Sequence, residues 1–310
     1  MSLDPYTEGF LKMLTSKGAP AFSDLPPEQS RQSFSALCQI TAPQEQPDVA
    51  IEDRVISLSD RDIPVRIYTP EGQGPFPVLV YYHGGGFVVG SVQDYDPVCR
   101  ELCHQSGYVV VSVEYRLAPE AAFPAAPNDG YAALCWVAEN AASFNGNVDC
   151  LIVGGDSAGG NLSAVMAQRS LRESGPTLAG QLLIYPVTNA SVETESMTVN
   201  AEGYLLTRGD MDYFMSNYVG EDVDVLQPDL SPGATADLSA LPPAWVATCE
   251  FDPLRDDGEN YAAAMTAQGV SVQSKRYDGT IHGAWNLFAV IPTGKIMIAD
   301  AVKWLKSVQA

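Results

Sequence analysis

The sequence predicts an α/β fold: an eight-stranded, mostly parallel sheet flanked by helices. Three observations carry this. Strand-like apolar runs alternate with helix-period segments over residues 54–307, which implies βαβ crossovers. The middle runs are continuously apolar, as strands covered on both faces must be. One of them, Val148-Asp149-Cys150-Leu151-Ile152-Val153-Gly154, leads through Gly155-Asp156-Ser157-Ala158-Gly159 straight into a helical pattern.

Taken in order, residues 1–45 stand apart. Segments 8–17 and 28–39 read as amphipathic helices, separated by Gly18-Ala19-Pro20 and Pro26-Pro27. Ala42-Pro43-Gln44-Glu45-Gln46-Pro47 reads as a linker to the main body, residues 46–310. Strands are expected at 54–58, 63–68, 77–82, 108–114, 149–153, 181–185, 244–248 and 270–277. Helices are expected at 95–106, 127–142, 158–173, 257–268 and 293–307. The first two strands have no helix between them and predict an antiparallel edge. Residues 187 to about 225 interrupt the alternation. There Thr207-Arg208-Gly209-Asp210 begins a helix much as a capping box does, with Met211, Phe214, Met215 and Tyr218 on one face. Ligands of open α/β sheets bind at the carboxyl ends of the strands. This insertion and the N-terminal helices are therefore expected to roof a site.

Composition excludes some functions. The formal charge of −21 opposes nucleic acid and anionic membrane as partners, which need basic surfaces. No apolar stretch is long enough to span a bilayer. The start, Met1-Ser2-Leu3-Asp4-Pro5-Tyr6, has neither a basic nor an apolar leader region, so a cytoplasmic protein is expected. The six cysteines form no Cys-x-x-Cys pair and read as free thiols. Cys99 and Cys103 lie one helical turn apart beside His104, which is too little for a zinc site, and no metal or cofactor is expected.

The chemistry starts at Ser157. A Gly-x-Ser-x-Gly on a strand-to-helix turn exposes its serine on a strained backbone, and the N-terminus of the next helix favours negative charge there. Such a nucleophile needs a base, and the base an orienting acid. The chain has three histidines. His83 precedes three glycines, and His104 falls in a helix. His282 lies in a loop after the last strand, downstream of the serine, and is the expected base. The acid should follow the preceding strand. Asp252, fixed by Pro253, is the first candidate, Glu250 competes, and Asp256 and Asp257 read as the start of the next helix. The developing oxyanion needs preorganised N–H donors. His83-Gly84-Gly85-Gly86, after a strand, and Ala158, after the nucleophile, supply candidates. The glycine run lacks the Lys-Ser/Thr of a P-loop and the spacing of a dinucleotide fingerprint.

Six ordered motifs now coincide: His83-Gly84-Gly85-Gly86-Phe87, Tyr115-Arg116-Leu117-Ala118-Pro119-Glu120, Phe123-Pro124-Ala125-Ala126, Gly155-Asp156-Ser157-Ala158-Gly159-Gly160-Asn161, Asp252-Pro253-Leu254-Arg255-Asp256 and Ile281-His282-Gly283. In these the chain resembles the hormone-sensitive-lipase-like (bacterial family IV) carboxylesterases of the α/β-hydrolase fold, from about residue 50 to the C-terminus. The resemblance implies Ser157 as nucleophile, His282 as base and Asp252 as acid. It implies an oxyanion hole from the N–H groups of Gly85, Gly86 and Ala158. His83, Gly84 and Asp156 become structural neighbours of the site. Residues 1–45 and 187–225, including Asn200-Ala201-Glu202-Gly203-Tyr204, resemble that family's two-part cap. There are two departures: Ala284-Trp285 follows His282-Gly283 where the family often has Phe, and Glu114 stands where it often has Asp.

The implied activity is hydrolysis of short- to medium-chain esters through an acyl-enzyme, with a small-molecule ester as the partner. The same triad can open amides, carbamates or lactones. A non-catalytic ligand receptor is the rival of another class, as in the plant gibberellin receptors, which resemble this family but lack the histidine. A long-chain lipase would need an exposed apolar helix that the sequence does not display. Phe87, Tyr185, Tyr204, Leu205 and Phe214 are pocket candidates by position. Members of the family often pair through the edge strand, here near 270–277, so the resemblance implies a homodimer.

Overall fold

The computed structural model describes residues 2–309. Its centre is an eight-stranded sheet in the order β1-β2-β4-β3-β5-β6-β7-β8. The strands are β1 Ala50–Ser57, β2 Asp62–Thr69, β3 Phe76–Tyr82, β4 Val109–Val113, β5 Gly146–Asp156, β6 Gly180–Ile184, β7 Ala244–Phe251 and β8 Val272–Ile281. β1 pairs antiparallel with β2, and β2 antiparallel with β4, while all later pairs are parallel. The antiparallel edge and parallel body expected from the sequence are both present.

The helices are α1 Pro5–Ser16, α2 Pro27–Thr41, α3 Asp96–Ser106, α4 Ala125–Asn140, α5 Ala158–Arg172, α6 Glu195–Val199, α7 Arg208–Tyr218, α8 Arg255–Ala267 and α9 Thr293–Gln309. α7 begins with a true capping box: Asp210 N–H donates to Thr207 Oγ1, and Thr207 N–H to the Asp210 carboxylate. The period-2 pattern of the central strands feeds two cores. Val78, Val80 and Tyr82 face one side with residues of α4 and α5. Leu79 and Tyr81 face the other with residues of α3 and α9. Complete burial on both faces explains the unbroken apolar runs. Among the described residues, no helix is long and apolar enough to cross a membrane.

Two elements differ from expectation, and both differences bear on the site. β8 continues through Asp278-Gly279-Thr280 to Ile281, where a loop was expected. The reason is a break in the β7–β8 register: Cys249 pairs with Tyr277, but Phe251 pairs with Ile281. The intervening residues bulge, with Gly279 at φ 74°, and a bulge reads as a turn in sequence. The helix after the sixth strand is preceded by a short one, α6, that the apolar pattern does not announce.

The chain order places the site. From β3 the chain crosses to β4 on one side and then to β5 on the other. The carboxyl ends of β3 and β5 thus flank the point where strand order reverses, the place where open α/β sheets bind ligands. The glycine loop leaves β3 there and Ser157 leaves β5.

Candidate active site

Ser157 stands alone between β5 and α5 with φ 55° and ψ −118°, a conformation that costs an L residue about 1–3 kcal/mol. The surroundings hold it. Its N–H donates to the Ile184 carbonyl at 2.9 Å, and its carbonyl accepts the Asn161 N–H at 2.9 Å. Position 159 must be glycine because a Cβ there would run into the Tyr82 carbonyl. The elbow can therefore press against β3, which carries the glycine loop.

His282 is the first residue past β8. Its Nε2 lies 3.0 Å from Ser157 Oγ and its Nδ1 2.8 Å from Asp252 Oδ2. Asp252 is fully buried, and its other oxygen accepts the Leu254 N–H at 2.8 Å. The competitor Glu250 and the neighbouring Asp256 and Asp257 make other bonds. Glu250 Oε2 accepts the Gly279 N–H at 2.8 Å and so holds the bulge before His282. Asp256 accepts the Ser196 N–H. Asp257 accepts both the N–H and the hydroxyl of Thr188, and burial pushes its carboxyl up to about 6 against those bonds. Asn200, whose functional part the sequence does not reveal, donates its amide to the carbonyls of Glu250 and Asp252 at 3.2 and 3.1 Å. It ties the end of α6 to the segment carrying the acid.

His83 is not part of this chain of bonds. Its buried ring lies flat on Tyr115, centroids 4.3 Å apart, and burial pushes its pKa down to about 4. The neutral ring has Nδ1 2.7 Å from the Gly84 carbonyl, so Nδ1 carries the proton. His104 is exposed on α3. Beyond His83, Gly86 adopts φ 58° with its α-carbon against the Phe214 ring, leaving no space for a side chain. The Gly85 carbonyl accepts the Val88 and Val89 N–H groups. No bond from the N–H of Gly85, Gly86 or Ala158 to a protein acceptor occurs among the described residues. Gly84 N–H, by contrast, donates to Asp156 at 3.0 Å.

A cavity of about 120 Å³ opens over Ser157 and His282. Its walls are almost wholly apolar, and among the described residues no Lys or Arg lines it. Of the pocket candidates, Phe87, Leu205 and Phe214 line it. Two other pocket candidates fall outside the lining. Tyr185 turns at φ 31° and is fully buried with its ring 4.3 Å from that of His282, so it backs the imidazole rather than facing the cavity. Tyr204 packs on Phe251 at 4.9 Å. The roof comes from Phe22, Phe34, Leu37 and Cys38 of the N-terminal segment and Met211, Phe214 and Met215 of α7.

Comparison with known proteins identifies the family. Residues 79–286 match the family described as the alpha/beta hydrolase fold. The carboxylesterase NlhH of Mycobacterium tuberculosis is 46% identical over 258 residues, covering 81% of each chain. The ethyl acetate hydrolase of Pseudomonas putida is 35% identical over 98% of this chain and 99% of its own length. Among solved structures, an ester hydrolase from the metagenome of Lake Arreo, crystallised with a phosphonate derivative, superposes with a TM-score of 0.95 at 38% identity, covering 98% of both chains. The hyperthermophilic esterase of Pyrobaculum calidifontis gives 0.94 at 39%, covering 100% of this chain and 99% of its own. This chain belongs to the α/β-hydrolase family, in its hormone-sensitive-lipase-like branch.

Proposed function

We propose that this protein is a serine carboxylesterase that hydrolyses short- to medium-chain esters of neutral acids through an acyl-enzyme. The observation that carries the reading is the unbroken chain from Ser157 Oγ to His282 to the buried Asp252, at 3.0 and 2.8 Å, opening into an apolar cavity. His282 Nε2 takes the hydroxyl proton as Ser157 attacks the ester carbonyl. The N–H groups of Gly85, Gly86 and Ala158 receive the oxyanion. Protonated His282 then delivers its proton to the leaving alcohol. Water repeats the sequence on the acyl-enzyme, and Asp252 holds the imidazole in the tautomer that serves both steps.

In this reading residues 1–45 and about 187–225 are a two-part cap on a catalytic body of residues 46–310. The absence of a cationic side chain among the described wall residues supports neutral esters over half-esters of dicarboxylic acids. A cytoplasmic location and pairing through the free edge of β8 belong to the same reading, tested by cell fractionation and by sedimentation.

The test is hydrolysis of p-nitrophenyl esters from acetate to palmitate by wild type and Ser157→Ala. Activity that peaks at short acyl chains and vanishes in the variant supports the proposal. No turnover of any ester by folded wild-type protein overturns it, and a maximum at palmitate replaces it with a lipase.

A further inference from the structure

Asp156 joins the nucleophile elbow to the glycine loop. It precedes Ser157 in sequence, and it is buried. Its Oδ1 accepts the Tyr81 hydroxyl at 2.8 Å and the Gly84 N–H at 3.0 Å, and its Oδ2 accepts the Tyr95 hydroxyl at 2.9 Å. Tyr81 in turn accepts the indole N–H of Trp285 at 3.0 Å. Tyr81 and Trp285 are fully buried. Tyr81, Gly84 and Tyr95 thus meet on one carboxylate, and Trp285 joins them through the Tyr81 hydroxyl. Each contact lies next to a different part of the reaction machinery: Asp156 beside Ser157, Gly84 beside Gly85, and Trp285 three residues after His282.

The direction of donation is fixed by chemistry. An indole N–H can only donate, so Tyr81 must accept from Trp285 and give its single proton to Asp156. Successive bonds of one sense polarise one another in a buried setting. A phenylalanine at position 285 could not make this bond.

We propose that the Trp285–Tyr81–Asp156 chain is a positioning device that fixes the oxyanion loop relative to the His282 loop, so that the two halves of the reaction site keep one spacing through the transition state. These are positioning residues and act through Gly84 and the backbone around His282. The inference rests on the esterase reading above. Its mechanical content is that losing one link lets the Gly85 and Gly86 donors and the imidazole drift independently. Transition-state stabilisation is sensitive to such drift, whereas ground-state binding in an apolar cavity is not.

The test compares Trp285→Phe, Tyr81→Phe and the double variant with wild type on p-nitrophenyl butyrate, well below each protein's Tm. The indole N–H is removed in the first and the shared hydroxyl in the second, with the ring volume of Tyr81 kept. Each single variant is expected to lose about 5- to 20-fold in kcat with KM within about twofold, and the double variant no more than Tyr81→Phe alone. Inhibition by a phosphonate ester, whose oxyanion fills the same hole, should slow in proportion to kcat. Trp285→Phe with wild-type kcat overturns the proposal. So does a loss that multiplies in the double variant, or one confined to KM or to Tm. A wild type that turns over no ester refutes the esterase reading instead, so the two failures are distinguishable.

Discussion

Beneath the cavity, Ser157, Gly84 and Asp252 sit at the ends of β5, β3 and β7, where sheet hydrogen bonds and buried side chains fix the backbone. Above it, α2 and α7 are held by a few side-chain straps. Arg31 of α2 donates to the carbonyls of Val88 and Ala118, each at 2.8 Å, and pairs with Glu120. Ser35 reaches Asp94 at 3.1 Å. The two roof segments meet where the Ser23 N–H donates to Asp210 at 3.0 Å, and where the Ser30 and Tyr213 hydroxyls lie 3.2 Å apart. Phe22 bridges them, 6.2 Å from Phe34 and 5.9 Å from Phe214. Few of these contacts are buried backbone bonds, so the roof can open at less cost than the floor can deform. The floor should govern the chemical step and the roof what is admitted.

The largest effect that can break this comparison lies in the floor. Asp252→Asn keeps the shape of the acid but leaves His282 without a carboxylate to fix its tautomer. It should lower kcat about 10⁴-fold with KM little changed. In Ser157→Ala the same replacement should cost almost nothing more, because the triad acts as a unit. A loss of only a few-fold in Asp252→Asn would mean that another acid supports His282. The middle effect is in the roof. Arg31→Met removes the straps to Val88, Ala118 and Glu120 while keeping an apolar stem. Stability should fall by about 1–3 kcal/mol, seen as a lower denaturation midpoint. KM for butyrate should rise several-fold with kcat nearly intact. A fall in kcat alone would move Arg31 from roof to floor. Phe214→Ala should be milder still. It vacates the ring that covers Gly86 and lines the cavity, so the preferred acyl length should shift upward in the p-nitrophenyl series.

The floor was also the more legible region. Ser157 and His282 could be read because the residues that bend the chain are themselves the motif, and a strand followed by a helix gives that motif one geometry. The acid was not separable from Glu250 by spacing. The two differ only through the β7–β8 register break, which sends Glu250 to the Gly279 N–H and leaves Asp252 for the imidazole. Tyr185 looked like a pocket residue because it follows β6, but a φ of 31° is not written in the identity of a tyrosine. The Trp285–Tyr81 bond joins residues 204 apart. Strand periodicity announces which way Tyr81 faces and nothing about the partner of its hydroxyl. In the roof, the amphipathic pattern of α7 was clear, yet nothing in the sequence marks Arg31 as a strap, since two of its acceptors are backbone carbonyls.

The smallest effect sharpens the comparison at its boundary, where the segment entering the insertion is tied to the body by Asp257. Its carboxyl accepts from Thr188 and Asn189, yet burial outweighs those bonds and raises it from 3.8 to about 6. A carboxyl raised on folding binds its proton more tightly in the native state. Its stabilising contribution is therefore fully present below about pH 4 and is lost as pH rises through about 6. Asp257→Asn removes that titration and leaves the neutral shape. The stability of wild type relative to the variant should accordingly decline between about pH 4 and 6, measured by thermal denaturation at fixed ionic strength, most steeply midway between the two values, and level off at higher pH. A relative stability that climbs over the same interval would mean the Thr188 and Asn189 bonds win over desolvation. The entry to the insertion would then be held as firmly as the floor, by a charged carboxylate rather than a neutral one.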